Sequence, residues 1–245
     1  MSLRPIFNRL IDPLVSLLYP QFCTGCGKSI VRLADGPACA DCWAATRIFG
    51  DHDLLCGKCG AFLAEGASHL HPDCGECGDH FYDAARAAGL YERAITAAVL
   101  QMKSAEYVPR TVRDHLIAAF ERMELNYAPI VVPVPLSKQR AHERGFNQAE
   151  ILAKVISEHA GLNMDPHSLV RRGDTPMHRA AMDRKAREAT VKNVFEVVRP
   201  ALINGGDILL IDDLMTSGAT ASQCAKALKK SGAGKVIVLT LARAG

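Results

Sequence analysis

The sequence predicts an α/β protein, a parallel sheet flanked by helices, preceded by a small cysteine-rich module. Three observations carry this. Eight of the nine cysteines fall in four Cys-x-x-Cys pairs, all before residue 80. From about residue 84 onward, helical and strand-like apolar periods alternate, the mark of an α/β domain. Residues 208–220 read Ile-Leu-Leu-Ile-Asp-Asp-Leu-Met-Thr-Ser-Gly-Ala-Thr. Four apolar residues predict a buried strand of a sheet covered on both faces. A carboxylate pair and a hydroxyl-rich turn opening a helix follow it. Composition agrees: 49% hydrophobic residues suffice for a core and 22% charged is ordinary for a soluble chain.

Residues 1–20 place Ile6, Leu10, Leu14, Leu17 and Leu18 at helical spacing, interrupted by Asp12-Pro13. An amphipathic helix packing on a later domain is the expectation. No continuous apolar core precedes a small-residue cleavage site, so no signal peptide is predicted. No stretch approaches the ~20 apolar residues that span a bilayer. A cytoplasmic protein without a membrane span is therefore expected.

The cysteine pairs are Cys23/Cys26, Cys39/Cys42, Cys56/Cys59 and Cys74/Cys77, separated by 12, 13 and 14 residues. Regular pairs of this kind fit two tetrahedral four-cysteine zinc sites of ribbon type, predicted over residues 21–82. Chain-order grouping (Cys23, Cys26, Cys39, Cys42, then Cys56, Cys59, Cys74, Cys77) is the simplest, with an interleaved cross-brace as the alternative. Iron in a rubredoxin-type site is the alternative metal. A disulfide framework would need an oxidising compartment, and a thioredoxin-like site would need one pair, not four. Gly27, Gly60 and Gly78 each follow a pair and suit a tight knuckle. Residues 1–82 carry six Lys/Arg and nine Asp/Glu, a net −3, and the remainder a net +6. The ribbon region is thus a poor footprint for direct nucleic-acid backbone binding. Its expected role is a metal-stabilised module too small to build a core otherwise.

The second domain is predicted over 83–245. Helices are expected over 92–103 and over 110–125, where Val112, Leu116, Phe120 and Met123 form one stripe. Ile130-Val131-Val132 predicts a buried strand running into Pro133-Val134-Pro135. Residues 147–160 read as a helix closed by Gly161. Strands are expected near 168–171, 194–198, 207–212 and 235–242, with a helix over 219–231. Cys224, on the Ala221/Leu228 face of that helix, reads as a buried structural thiol.

Ligands of an open α/β sheet bind beyond the carboxyl ends of its strands, and three polar segments fall there. At the first, Asp212 and Asp213 can accept hydrogen bonds from sugar hydroxyls or hold a hydrated Mg²⁺. There Thr216, Ser217, Gly218, Ala219 and Thr220 offer backbone N–H groups and a helix dipole to a phosphate. The second runs through Pro135, Leu136, Ser137, Lys138, Arg140 and Arg144, a basic loop suited to a pyrophosphate. The spacing of Arg140 and Arg144 also fits a solvated helix face. The third, with Arg171, Arg172, Arg179, Arg184, Lys185 and Arg187, has the composition of a mobile lid or of an exposed basic helix. His142 and His178 read as surface histidines.

The 208–220 run resembles the phosphoribosyl-pyrophosphate (PRPP) loop of type I phosphoribosyltransferases. The chain as a whole resembles the ComF family, competence-associated proteins with a zinc ribbon ahead of a phosphoribosyltransferase-like domain. The matching features are Tyr19-Pro20 before Cys23, the cysteine pairs, Tyr91 and the Lys103 region. To these are added Val132-Pro133-Val134-Pro135 with Arg144-Gly145-Phe146-Asn147-Gln148, and the 208–220 loop itself. The resemblance implies that Asp212 and Asp213 contact the ribose hydroxyls and the Mg²⁺ travelling with PRPP. It implies that residues 216–220 bind the 5-phosphate and that the segment after Pro135 faces the pyrophosphate. The family's lid pattern is only partly kept: Thr175, Arg187, Val191 and Phe195 fit, while His178 and Thr190 replace its Gln and Asn.

The function expected is Mg·PRPP binding with transfer of ribose 5-phosphate to an unidentified acceptor and release of pyrophosphate. Asp212, Asp213, Lys138 and Arg140 would carry the chemistry, by electrostatics and positioning rather than by a general base. The alternative is a non-catalytic PRPP sensor or scaffold that binds single-stranded DNA or DNA-uptake proteins.

Overall fold

The computed structural model describes residues 21–30, 36–63, 74–75, 77–172 and 194–245. The helix expected over 1–20 lies outside them. So does the lid segment with Thr175, His178, Arg179, Arg184, Lys185, Arg187, Thr190 and Val191.

The chain passes through β1 (Gln21–Phe22), β2 (Ser29–Ile30), α1 (Ala40–Ala44), β3 (Ala84–Leu90), α2 (Arg93–Gln101), α3 (Arg110–Glu121) and β4 (Ile130–Pro133). It continues through α4 (Lys138–Arg144), α5 (Gln148–Ala160), β5 (Leu169–Arg171), β6 (Phe195–Val197), α6 (Pro200–Ile203), β7 (Ile208–Met215), α7 (Ala219–Lys230) and β8 (Val236–Arg243). Four strands form one parallel sheet in the order β3-β8-β7-β4. The expected strands near 168–171 and 194–198 do not join it. They pair with each other as a separate antiparallel ribbon.

Alternation along β7 builds the two faces of the core. Leu209 and Ile211 pack with Leu239, Leu241 and the apolar stripes of α2, α3 and α5. Ile208 and Leu210 face the opposite way, onto Ala221, Cys224 and Leu228 of α7. All are essentially sealed from water, which is why β7 reads as a continuous apolar run rather than an alternating one.

The sequence does not mark β3 as a strand. Ala-Ala-Arg-Ala-Ala-Gly-Leu favours a helix on propensity. Tertiary packing decides otherwise, because segment 47–60 lies directly along its outer edge. Phe49 N–H donates to Ala88 O at 2.9 Å, Leu90 N–H to Arg47 O at 2.9 Å, and Ala85 N–H to Lys58 O at 2.6 Å. A Cβ on Gly89 would collide with the carbonyl of Arg47, and one on Gly60 would sit 2.6 Å from Ala85 O. Such close approach needs small side chains. The other edge, β4, is covered as well: Val131 N–H donates to Asn163 O and Asp165 N–H to Val131 O.

The cysteine-rich region straddles the β3 edge. Cys23, Cys39, Ile30 and Trp43 join the apolar cluster on the α2/α3 face. Cys56, Cys59 and Cys77 join the cluster on the α7 face.

Candidate functional site

β7 runs on to Met215, so the carboxylate pair lies within the strand and not just past it. β4 pairs with β7 only as far as Pro133↔Ile211, whereas β8 continues alongside, with Asp212↔Thr240 and Met215↔Arg243. Asp212 and Asp213 therefore emerge into the gap where β4 has ended. The Asp213 N–H donates to Asp212 Oδ1 at 2.9 Å. Burial and the neighbouring Asp213 charge push the Asp212 carboxyl well above the usual range, opposed in part by the Arg140 guanidinium.

After Met215 the chain turns through Thr216, Ser217 and Gly218 into α7. Gly218 is the N-cap, with φ 78°, and a Cβ there would meet Met215 Cε at 2.8 Å and Tyr82 Oη at 3.0 Å. Ala219 N–H leans on Ser217 Oγ at 3.4 Å. The twelve-residue α7 is anchored by a buried stripe and presents its N-terminal turn beside the carboxylate pair. Cys224 is fully buried, with its thiol pushed well up by burial and then by Asp212. That suits the structural role expected of it.

The second predicted segment is partly a helix. Pro135 and Leu136 lead to Ser137, which caps α4 by accepting from Arg140 N–H at 3.3 Å. Lys138 and Arg140 stand exposed on the first turn of α4, and none of its residues is buried. Arg144, half-buried, donates through Nη1 to Gln148 Oε1 at 2.9 Å. The Arg144-Gly145-Phe146-Asn147-Gln148 motif is a corner: Gly145 closes α4 in the left-handed region and Asn147 caps α5. Asn147 Nδ2 also donates to Val134 O at 3.0 Å, fixing the strand end from which the loop departs. Of the Arg-rich segment, Arg171 and Arg172 lie at the end of β5 and just past it. Arg171 lies over the Phe195 ring at 5.5 Å, and Arg172 pairs with Glu196 at 2.7 Å. His142 is exposed on α4.

The cysteines gather in chain order into two groups of four, Cys23/Cys26/Cys39/Cys42 and Cys56/Cys59/Cys74/Cys77, the sulfurs of each within 4.8 Å of one another. The interleaved alternative does not occur. Sulfur separations of 3.5–3.6 Å are close to the edge of a tetrahedron with metal–sulfur bonds of about 2.3 Å, roughly 3.8 Å. The donor set behaves like a metal site. Burial opposes ionisation of Cys23, yet N–H groups of Cys39, Cys26 and Gly25 hold its thiol at about 6. Burial likewise opposes Cys56, which N–H groups of Cys59, Cys74 and Lys58 hold at about 6. Burial and the neighbouring thiols push Cys42 to about 12, and burial pushes Cys59 to about 11. Four such sulfurs ionise together only around a cation. Gly27 and Gly60 take the positive φ expected of the knuckles, Gly78 does not, and Gly75, inside the last pair, has φ 69°.

The structure adds residues that sequence reasoning missed. A cavity of about 480 Å³ lies between the second cysteine group and the phosphate-loop candidates, lined by Phe62, His80, Thr216, Ser217 and Arg243 among others. Arg243, at the end of β8, is 9% exposed and donates through Nη2 to Cys59 Sγ at 3.4 Å. A lone arginine ending an apolar run gives no sequence signal of such burial. Larger hollows, of about 680 and 780 Å³, lie along the outer side of α5 and share no residue with the loop.

A family model described as a double zinc ribbon domain matches residues 14–79. DNA utilization protein YhgH of Escherichia coli is 26% identical over 243 residues, covering 93% of this chain and 99% of that protein. Competence protein F of Haemophilus influenzae is 26% identical over 231 residues, covering 91% and 96%. Competence protein ComFC of Bacillus subtilis is 35% identical over 115 residues, 46% of this chain and 44% of that protein. These matches agree with the resemblance drawn from the motifs. Among solved structures, an allosteric regulatory enzyme of purine biosynthesis aligns at a TM-score of 0.37 and 16% identity, covering 58% of this chain. The aligned part spans only 30% of that enzyme. A purine phosphoribosyltransferase of Pyrococcus horikoshii aligns at 0.33 and 17%, covering 54% and 74%.

Proposed function

We propose that this homologue of the DNA-utilization and competence proteins binds Mg·PRPP at the end of β7 and transfers its ribosyl phosphate. The observation that carries this reading is the junction of Asp212 and Asp213 with the Gly218-capped start of α7. A strand-end carboxylate pair followed by a helix N-terminus matches a sugar that carries both hydroxyls and a phosphate. The same reading divides the chain into residues 1–20, 21–82 and 83–245, with zinc in the two cysteine groups.

In this reading Asp212 and Asp213 accept hydrogen bonds from the ribose hydroxyls and favour positive charge developing at C1. Backbone N–H groups of Thr216, Ser217, Gly218, Ala219 and Thr220 hold the 5-phosphate. Pro135, Leu136 and Ser137 shape the pyrophosphate side, where exposed Lys138 and Arg140 neutralise the departing charge. Arg144 joins them on the pyrophosphate side and also holds the corner through Gln148. A Mg²⁺ ion, when bound, would supply further charge neutralisation on the pyrophosphate. The acceptor takes the place of pyrophosphate at C1.

Titration of the zinc-loaded protein with Mg·PRPP tests the reading. Binding is expected, weakened at least about tenfold in Asp213→Asn; no measurable heat with folded wild-type protein would sink it. Pyrophosphate release across bases, amines and ammonia then identifies the acceptor. The relatives' names favour a second reading, a scaffold that binds single-stranded DNA. Salt-sensitive DNA retention that ignores PRPP and survives Asp212→Asn would support that reading over the first.

A further inference from the structure

The two cysteine groups differ in what they touch. The first packs on α2: Thr46 Oγ1, just past Cys42, accepts from Ala94 N–H at 3.1 Å, and Cys26 is exposed. The second is tied to the phosphate loop by two routes. One runs through Arg243. Its side chain donates to Cys59 Sγ at 3.4 Å, while its backbone stands opposite Met215, the last residue of β7. The next residue, Ala244, donates its N–H to Met215 O at 2.9 Å.

The other route is a strap three residues past Cys77. His80 N–H donates to Cys77 O at 3.1 Å, and His80 Nδ1 and Tyr82 Oη lie 2.6 Å apart. Phe81 N–H donates to Ser222 Oγ on the first turn of α7 at 3.1 Å. Both His80 and Tyr82 press on Gly218, where a Cβ would come within 3.0 Å of each.

Charge gives the second group its own requirement. Among the described residues, the Nε and Nη1 atoms of Arg243 are sealed without a hydrogen-bond partner. Arg86, on β3, donates through Nη1 to Gly57 O at 3.0 Å beside Cys56. Buried guanidinium groups need anionic charge close by. A divalent metal held by four thiolates carries a net −2, which offsets the buried Arg243 and the half-buried Arg86.

We propose that the metal in the second cysteine group sets the conformation of the phosphate loop, with Arg243 as the positioning residue between them, and that the first group does not. That the loop holds a phosphate rests on the function proposed above, but the coupling of metal to loop does not. Amide hydrogen exchange of residues 215–222 in the full zinc-loaded chain reads it without any ligand. Cys77→Ser is expected to speed exchange there about tenfold, with β4 and α5 unchanged, while Cys26→Ser leaves the loop as in wild type. Arg243→Gln, shown by metal analysis to keep both zinc ions, is expected to speed the same amides, and Arg243→Lys to restore them in part. Equal loop exchange in the two cysteine variants overturns the proposal. If Cys77→Ser does not fold, unchanged loop exchange in the two-zinc Arg243→Gln protein overturns it. A wild-type protein that shows the coupling but takes up no Mg·PRPP would leave the inference standing and defeat the functional reading instead.

Discussion

Asp212 is where function and stability pull against each other. Burial and the Asp213 charge raise its folded-state pKa, so above about pH 4 the unfolded chain releases a proton that the folded chain keeps. Folded-state stability therefore falls as pH rises from that point toward the raised pKa. Asp212→Asn, measured without Mg²⁺ or ligand, should raise neutral-pH stability by on the order of 1 kcal/mol. The gain should shrink as pH falls and vanish below about pH 3, where the carboxyl is protonated in both states. Thermal melts at the two pH values check this, and a pH-independent effect would contradict it. Asp212, Asp213 and the eight paired cysteines are legible because their chemistry sits in short contiguous motifs. Arg243, His80 and Tyr82 are not. Their roles come from contacts spanning up to 184 residues of chain, and no local pattern encodes those.

Among the elements, α5 and α7 follow from apolar periodicity and lie close to their expected bounds, while β7 starts where its apolar run predicts but extends past the carboxylate pair to Met215. β3 does not follow from periodicity, because its alanines answer to the backbone packed against it and not to strand propensity. The segment after β4 carries two expectations, a phosphate-facing loop and an exposed helix face, and it contains a helix of the second kind. Ser137 caps that short helix, from which Lys138 and Arg140 project. The corner after it depends on Asn147, which caps α5 and also holds Val134 O. Asn147→Ala loses both bonds and should cost about 2 kcal/mol, seen as a lower denaturation midpoint. It should weaken PRPP binding as well, since the loop departs from Val134.

At the scale of the molecule, the cysteine-rich region is part of the sheet's architecture and not a detached appendage. It lies along β3 and places one cysteine group on each face. Its charge and cysteine spacing predict the metal-stabilised module but not this placement, because docking is set by backbone bonds to an alanine strand. Among the described residues, no helix is long and apolar enough to cross a membrane. Metal analysis should find two zinc ions per chain, and a strong chelator should remove the first group's ion faster, since Cys26 is exposed while Cys56, Cys59 and Cys77 are buried. Equal release rates would contradict that order.

The bonds from Phe49, Lys58 and Leu90 along β3 have a consequence for the chain in a metal-poor cell. Removal of zinc from the cysteine groups is expected to loosen segment 47–60 and to leave the outer rim of an alanine-rich strand with open donors and acceptors. Such a rim is a template for a second copy of itself. Zinc supply would then govern whether the protein stays dispersed, and chelation should produce light scattering that grows with protein concentration before the sheet itself melts.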